Sequence, residues 1–206
     1  MISTTNTNEK LKITDAQKIK FHNFLNELKN YNTHTNIVGK STLANPWKSH
    51  ILDCIQVASF IDKKNNSVLD MGTGAGLPGI VLAIAGYNNV TMVDSNNKKI
   101  HFIKNVCKKL NIKTKVLLSR IEKMPQKKYD YITSRALAKL SQLFSYSYNF
   151  INKKTVLIFL KGKTASEEIA EAKKKWSFES ISKTSLSDER GKVLIIKKLS
   201  LKKWQK

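Results

Sequence analysis

The stretch L-D-M-G-T-G-A-G-L-P-G at residues 69–79 constrains the fold more than any other part of the chain. It follows a short apolar run at 67–71 and leads into an apolar run at 79–85 that has the length of a short helix. Glycine tolerates positive φ and leaves room for another group to lie against the backbone. A strand, a glycine-rich turn and a helix in this order predict a parallel sheet with a ligand at the carboxyl ends of its strands.

The spacing of these glycines indicates the kind of ligand. A dinucleotide fingerprint needs G-x-G-x-x-G, and Gly72 and Gly74 fit its first two positions, but position 77 is Leu. No G-x-x-x-x-G-K-[ST] run is present, which argues against a P-loop. The pattern is D-x-G-x-G-x-G, and Asp70 before the glycines suits a cationic ligand better than a pyrophosphate. S-adenosylmethionine, which has an ammonium and a sulfonium group and no phosphate, fits this pattern; a tight turn without a ligand is the alternative interpretation.

An acid at the end of the next predicted strand supports a nucleoside-containing ligand. Asp94 stands 22 positions after Gly72 and closes the apolar run at 90–93. A carboxylate in that place can accept hydrogen bonds from both ribose hydroxyls, as it does in dinucleotide-binding folds. Asp94 is therefore predicted to bind the cofactor ribose.

The rest of the chain alternates between strand and helix patterns. Strands are predicted at 67–71, 90–93, 115–118, 129–133, 155–160, 178–187 and 192–199, and helices at 79–85, 98–110, 136–150 and 166–176. The helix at 136–150 is expected to turn Leu137, Leu140 and Phe144 inward. This alternation predicts an α/β fold with a mostly parallel, Rossmann-like seven-stranded sheet. If S-adenosylmethionine is the ligand, this is the fold class of the class I methyltransferases.

Two amphipathic helices are expected before the glycine motif, one starting at Thr14 or Asp15 and one at Pro46. We therefore predict one domain over residues 1–206. Within it, 1–13 form a loose arm, 14–64 a helical cap and 65–200 the Rossmann-like core.

The charge and the sparse cysteines limit the class of protein. The chain carries 37 basic and 15 acidic side chains, a net charge of +22, which would attract a polyanion such as nucleic acid; a general lysine-rich composition is the alternative explanation. No apolar run approaches the ~18 residues of a membrane span, so no membrane association is expected. Two distant cysteines suggest reduced thiols in the cytoplasm, and the four histidines show no metal-ligand spacing, so no metal is expected.

If the cofactor is S-adenosylmethionine, the segment after the fourth predicted strand bears on which atom would be methylated. It reads T-S-R-A at 133–136, without the [DNS]-P-P-[YF] pattern typical of amino-group methylation of bases. Neither cysteine is placed there as a nucleophile for pyrimidine carbon-5. Guanine N7 has a free lone pair and no proton, so orientation alone can supply most of the catalysis. Methylation of a small molecule or a protein stays open at this point.

The motifs together resemble the RsmG (GidB) family of bacterial small-subunit ribosomal RNA methyltransferases. The resemblance runs from about Phe24 to Lys197. It rests on S-H-I-L-D-C at 49–54, the glycine motif, V-D-S-N-N-K-K at 93–99, T-S-R-A at 133–136, L-K-G at 160–162 and D-E-R at 188–190. The L-P-G ending of the glycine motif and S-R-A are the most specific, since generic methyltransferases lack them.

The resemblance implies N7 methylation, with S-adenosylmethionine, of guanine 527 in the 530 loop of 16S rRNA. It also implies a partner, 16S rRNA or the small ribosomal subunit, and we expect a cytoplasmic monomer. No catalytic acid or base is implied; Arg135 is the candidate for positioning. The cofactor-site residues are predicted to be Gly72, Gly74, Leu77, Asp94, Ile121, Glu122 and Arg135.

Departures from the family pattern concern residues expected to face the RNA. Ser49 stands where the family often has Arg, Lys99 where it has Arg, and Gly191 where it often has His. His50 and Asp53 are predicted to be a structural pair. The candidate RNA contacts are Lys98, Lys99, Lys104, Lys161 and Arg190. The alternatives are a methyltransferase for another RNA site or a small molecule, and a non-catalytic RNA-binding protein that retains the cofactor pocket.

Overall fold

The computed structural model of the protein describes residues 12–202. Their strands form one seven-stranded sheet in the order β3-β2-β1-β4-β5-β7-β6. β1 to β5 pair in parallel, and β7 runs antiparallel to both β5 and β6. The strands are β1 Val68–Met71, β2 Val90–Asp94, β3 Lys115–Leu118, β4 Tyr131–Arg135, β5 Val156–Lys161, β6 Trp176–Thr184 and β7 Lys192–Leu201. The predicted α/β class and the mostly parallel sheet are confirmed.

Alternating residues of the central strands enter two separate hydrophobic cores. In β5, Ile158 and Leu160 belong to the core shared with the N-terminal helices, whereas Leu157 and Phe159 belong to the other. Successive side chains of a strand point to opposite faces of its sheet. β5 is therefore covered on both sides, which explains its uninterrupted apolar sequence.

One helix precedes β1, and the other four each lie between two strands in chain order. They are α1 Asp15–Asn32, α2 Gly79–Ile84, α3 Asn97–Lys109, α4 Leu140–Ser147 and α5 Ala165–Lys175. Thr14 caps α1 in a reciprocal pair with Gln17, as the sequence suggested. Short 3-10 turns occupy Lys40–Leu43, Ile121–Lys123 and Tyr148–Phe150.

Three expectations from the sequence need correction. The helix predicted from 136 begins only at Leu140, because Ala136 has a positive φ of 53° and breaks the helical path. Leu137 is 36% exposed instead of facing the core. Trp176 begins β6 instead of ending a helix, and β6 stops at Thr184.

The second predicted helix is irregular in the structure. It comprises a π-helical turn at Trp47–Leu52, an α-helical turn at Asp53–Ile55 and a 3-10 helix at Gln56–Phe60. We call residues 47–60 the bent segment. Single π turns inside helices often occur at functional sites, and this one brings polar side chains to the end of β4.

Most of the predicted arm at 1–13 and of the basic end at 201–206 lies outside the described residues. Within 12–202, no helix is both long enough and apolar enough to cross a membrane.

Candidate active site

A cleft of about 1470 Å³ opens at the carboxyl ends of the five parallel strands. It is lined by the segments that follow these strands, at 72–77, 94–99, 119–122, 135–137 and 160–162. The strand order reverses between β1 and β4, so the cleft lies at the switch point where open α/β sheets bind ligands. Residues 37–53 and 185–192 form its rim.

The glycine loop fits the backbone role predicted for it. Gly72, Gly74 and Gly76 all have positive φ, between 60° and 85°. A Cβ at Gly72 would stand 2.5 Å from the Leu137 side chain, so this glycine makes room for a neighbour within the protein. A Cβ at Gly74 would meet no side chain; its nearest neighbour would be the Gly72 carbonyl oxygen, at 3.9 Å. The bare backbone at Gly74 is therefore where a ligand could lie closest to the chain.

Asp70 holds the loop from below instead of facing the ligand. Its side chain is fully buried and does not line the cleft. One carboxylate oxygen accepts hydrogen bonds from the Thr73 hydroxyl and, at 2.8 Å, from the Gly79 N–H. Burial raises the pKa of Asp70 to about 7, although the bonds from Thr73 and Gly79 oppose the shift. The direct role suggested for this acid, to attract a cationic ligand, is not supported by its position.

Asp94 lines the cleft at the end of β2, where it was predicted to bind ribose. Its two carboxylate oxygens accept from the Gly74 N–H at 3.0 Å and from the Asn96 N–H at 2.8 Å. Each oxygen of an ionised carboxylate has a second lone pair, so both can still accept a ligand hydroxyl. The carboxylate thus fixes the glycine loop and offers acceptors beside it, which fits the ribose of a nucleoside ligand.

The other predicted cofactor residues also reach this cleft. Leu77 is buried in the glycine loop, and Ile121 and Glu122 lie on the 3-10 turn after β3. Ile121 is buried at 8% exposure, whereas Glu122 is exposed. An apolar side chain beside an exposed acid suits the face and the amino group of an adenine. All seven predicted cofactor-site residues line the one cleft.

Arg135, at the end of β4, connects the sheet to the bent segment. Its guanidinium donates to the Ser49 carbonyl at 2.8 Å and to Asp53 Oδ2 at 3.1 Å, and lies 3.1 Å from His50 Nδ1. These contacts engage three of its five N–H donors, and the other two have no partner among the described residues. Arg135 is therefore rigidly held at the cleft with donors left for a ligand.

His50 is neutral in this arrangement. Burial, and then the positive charge of Arg135, lowers its pKa to about 4. Because Arg135 donates to Nδ1, the ring proton must be on Nε2, which lies 3.0 Å from the Thr42 hydroxyl. Thr42 in turn donates to the Gly39 carbonyl at 2.6 Å. His50 and Asp53 thus make structural contacts, but each of them bonds to Arg135, and no hydrogen bond joins the two side chains in the described part of the chain.

The rim includes residues that the sequence did not single out. The Ser187 hydroxyl donates to Asp53 Oδ1 at 2.6 Å, and the Leu186 N–H donates to Gln56 Oε1 at 3.0 Å. Gln56 also donates to the Ser185 hydroxyl at 2.9 Å. These contacts fasten residues 185–187 to the bent segment more than a hundred positions earlier in the chain. Nothing in a sequence pattern of single serines and a glutamine indicates such a contact; only the neighbouring D-E-R motif draws attention to this loop.

The predicted RNA-contact residues differ in their exposure and in whether their charges are already paired within the protein. Lys161 is only 10% exposed at its side chain, lies 2.6 Å from Glu168 and donates to the Ala138 carbonyl, a geometry that favours a structural role. Arg190 is exposed but donates to Asp188. Lys98 and Lys104 are exposed on α3, and Lys99 lies 3.9 Å from Asp94.

Neither cysteine is available as a nucleophile at the cleft. Cys54 and Cys107 are both buried and do not line it. Burial raises the pKa of both thiols, that of Cys107 to about 11, which keeps them protonated at neutral pH. Among the described residues, no group of three or more His, Cys, Asp or Glu side chains could hold a metal ion.

Comparison with known proteins connects this geometry to one family. Residues 17–197 match the family model GidB, described as rRNA small subunit methyltransferase G. The chain is 35% identical over 181 residues to the ribosomal RNA small subunit methyltransferase G of Rickettsia prowazekii, covering 88% of this chain and 94% of that protein. The Rickettsia rickettsii protein of the same name matches with the same identity and coverage.

Solved structures share the fold at low sequence identity. The ribosomal protein L11 methylase of Lactobacillus delbrueckii subsp. bulgaricus superposes with a TM-score of 0.54 at 19% identity, over 68% of this chain and 71% of that one. A tRNA (uracil-54, C5)-methyltransferase of Pyrococcus abyssi, solved with S-adenosyl-L-homocysteine, superposes with a TM-score of 0.52 at 17% identity. The match covers 70% of this chain and 36% of that one. These similarities support the class I methyltransferase fold.

Proposed function

The chain belongs to the rRNA small subunit methyltransferase G family, and from this premise we propose that it methylates N7 of guanine 527 in the 530 loop of 16S rRNA. The family is one of S-adenosylmethionine-dependent methyltransferases, so the reaction class and the cofactor follow from membership. The observation that carries the proposal is that all the predicted cofactor residues line one cleft at the switch point of the sheet.

We assign the nucleoside half of the cofactor to the part of the cleft beside β2 and β3. Asp94 would accept the ribose hydroxyls, and Ile121 and Glu122 would flank the adenine. The open backbone at Gly74 supports this assignment, because a side chain there would project into the space that the cofactor needs. Gly72 and Leu77 complete the loop on which the cofactor would lie.

Arg135 is the residue that we propose to orient the amino-acid end of the cofactor. Its two unengaged N–H donors are suited to a carboxylate. When bound, the cofactor supplies an electrophilic methyl group on a positively charged sulfur. Guanine N7 uses its own lone pair and releases no proton, so the protein needs no general base. Its residues have only to hold N7 in line with the methyl group, about 3 Å away.

We further infer that the protein works as a monomer in the bacterial cytoplasm, where its rRNA substrate is made. The exposed lysines Lys98 and Lys104 on α3, with Lys99 and Arg190 beside the cleft, are proposed phosphate contacts. If they are, replacing any one of these lysines should weaken rRNA binding. It should also reduce the slope of log binding constant against log salt concentration by roughly one unit. Lys161 should have a smaller effect on that slope, since its ammonium is paired with Glu168.

The direct test is methyl transfer from labelled S-adenosylmethionine to small subunits and to 16S rRNA that lack the modification. The label is then located by chemical cleavage at N7-methylguanine. A single label at guanine 527 supports the proposal, and a label on another base or atom contradicts it. Arg135→Ala should lower the transfer rate by about 30-fold or more, because a buried charged contact to the ligand is lost. Full activity of that variant would remove Arg135 from the site.

A further inference from the structure

Residues 185–191, which we call the rim loop, are held in place at both ends and in the middle. The Ser185 N–H donates to the Gly191 carbonyl at 3.0 Å, and the Gly191 N–H donates to the Asp188 carbonyl at 2.8 Å. Gln56 and Asp53 of the bent segment fasten residues 185–187 from the other side. The rim loop therefore presents its side chains to the cleft from a fixed backbone, as a recognition surface requires.

Most polar side chains of the rim loop are already engaged. Ser185 and Ser187 bond to Asp53, and Asp188 accepts two hydrogen bonds from the Arg190 side chain. Glu189 is the rim-loop side chain with polar atoms that has no hydrogen bond or ion pair in the described part of the chain. Leu186 is the apolar side chain of the same loop. Leu186 is 55% exposed, unusual for a leucine held this firmly, and Glu189 is exposed as well. Both line the cleft.

Glu189 also stands apart from the other acids of the cleft. Asp53 binds Arg135, Asp94 binds backbone N–H groups, Glu168 binds Lys161 and Asp188 binds Arg190. The acids that line the cleft without a hydrogen bond or ion pair among the described residues are Glu122 and Glu189. Glu122 lies on the turn after β3, on the proposed cofactor side. Glu189 is the carboxylate left for the other ligand.

The chemistry of guanine fits a free carboxylate. Guanine presents two neighbouring donors on its Watson–Crick edge, N1–H and the N2 amino group, whereas adenine and cytosine present a donor beside an acceptor and uracil a single donor between acceptors. An ionised carboxylate has two oxygens that only accept, so it can pair with both guanine donors at once. N7 lies on the Hoogsteen edge of the base, away from N1 and the N2 amino group. A carboxylate that holds N1 and N2 therefore leaves N7 free to receive a methyl group.

We propose that Glu189 selects guanine by accepting hydrogen bonds from N1–H and the N2 amino group, while Leu186 packs against the face of the base. This inference rests on the proposed function and adds the groups that recognise its substrate. An exposed apolar side chain on a fixed loop can cover a flat base in the way that stacking platforms do. The engaged residues of the rim loop, with Asp53 and Gln56, are positioning residues for this pair.

The test uses full-length protein and 16S rRNA in which the target guanosine is replaced by inosine, which lacks only the N2 amino group. Such RNA can be made by ligating rRNA segments. Wild-type protein should methylate the inosine RNA with kcat/KM about 10-fold lower, because one of two paired contacts is lost. Glu189→Gln should lower kcat/KM on guanosine RNA by about 10-fold and reduce the preference for guanosine over inosine to less than about 2-fold.

Controls separate recognition from charge and folding. Glu167→Gln on α5 removes the same charge from an exposed side chain outside the cleft and should keep the wild-type preference. The Kd for S-adenosylmethionine, measured by calorimetry, should be unchanged in Glu189→Gln. Leu186→Ala should raise KM for rRNA by about 3-fold to 10-fold and keep the base preference. Leu201→Ala, an exposed leucine outside the cleft, should do neither.

The outcomes distinguish this inference from the proposed function. If Glu189→Gln keeps the wild-type preference for guanosine, or if wild-type protein treats both RNAs alike, the role of Glu189 is overturned. Unchanged KM for rRNA in Leu186→Ala overturns the packing role. If wild-type protein labels no rRNA guanine, the proposed function itself fails, and this inference fails with it.

Discussion

The two walls of the cleft are built in different ways. The glycine wall is formed by residues 70–79 and 94, and its hydrogen bonds join residues close in sequence. Asp70 bonds to Thr73 and Gly79, three and nine positions away. Asp94 bonds to Gly74, 20 positions away. The rim wall is formed by the bent segment and the rim loop, and it depends on contacts between residues far apart in the chain. Arg135 bonds to Asp53, 82 positions away, and Ser187 bonds to Asp53, 134 positions away.

The walls also differ in the groups that they use. In the glycine wall, carboxylates accept mainly backbone N–H groups. At Gly72, Gly76 and Gly79 the backbone passes so close to its neighbours that an added Cβ does not fit. In the rim wall, side chains bond to side chains, and Asp53, the ionic partner of Arg135, joins the bent segment to the rim loop. We therefore expect the glycine wall to be sensitive to volume and the rim wall to be sensitive to charge.

The largest effect is expected from volume added to the glycine wall. In Gly79→Ala, the new Cβ would overlap the Met92 side chain and stand 2.8 Å from Asp70 Oδ2, both fully buried. Overpacking of this kind costs about 1–3 kcal/mol, and displacement of the Asp70 contact adds to it. Urea denaturation should show a free energy of unfolding lower by about 3 kcal/mol.

Gly162→Ala is the matched control for that substitution. Gly162 lines the same cleft, but a Cβ there would meet nothing within 4 Å. Its stability should stay within about 0.5 kcal/mol of the wild-type value. Equal stability losses in the two variants would contradict the close packing that we assign to the glycine wall.

Removal of charge from the rim wall should have the next largest effect. Asp53→Asn keeps the shape of the side chain but removes the ionic partner of Arg135, whose side chain is 19% exposed. A mostly buried pair broken on one side should cost about 1–3 kcal/mol, less than a fully buried one. Glu179→Gln breaks an exposed pair with Lys198 and should cost no more than about 1 kcal/mol. Similar losses in both, measured in the same denaturation series, would show that the rim wall does not depend on this charge.

The third prediction concerns the cofactor. Asp94→Ala should raise the Kd for S-adenosylmethionine by about 10-fold to 100-fold, because hydrogen bonds to a charged acceptor are lost. Calorimetric titration measures the Kd, and circular dichroism should show that the fold persists. Asp94→Asn keeps one acceptor oxygen, so its Kd for S-adenosylmethionine should lie between those of Asp94→Ala and the wild-type protein. An unaltered Kd in Asp94→Ala would show that our assignment of the ribose is wrong.

The smallest effect is a pH dependence that originates under the glycine wall. Burial raises the pKa of Asp70 from 3.8 to about 7, so between these values the folded protein holds a proton that the unfolded chain releases. This group therefore makes stability fall as the pH rises through that window. His50, with its pKa lowered to about 4, acts in the opposite direction between pH 4 and 6.5.

Comparison with Asp70→Asn isolates the first group, because His50 is common to both proteins. The free energy of unfolding of Asp70→Asn relative to wild type should increase from pH 4 to pH 7. A difference that does not change with pH would show that Asp70 is ionised across this range.

Much of the fold and of the glycine wall could be predicted from the sequence, since local patterns specify them. Apolar runs of strand length gave the seven strands, and the glycine spacing with Asp94 placed the cleft at the ends of β1 and β2. The role suggested for Asp70, to attract a cationic ligand, is not supported by its buried position, because a sequence does not tell which side of a turn an acid faces. Leu137 was misplaced because one positive φ at Ala136 interrupts an otherwise helical pattern.

The sequence by itself therefore determined the order of strands and helices, the family and the ligand edge of the sheet. These depend on residue types at short, fixed spacings, which any local segment of backbone must satisfy. Only the tertiary structure decided that Arg135, Asp53 and Ser187 meet, that Lys161 is paired with Glu168, and that Leu186 and Glu189 are left facing the cleft. Such contacts join residues far apart in the chain, and their geometry is fixed by the packing of whole elements.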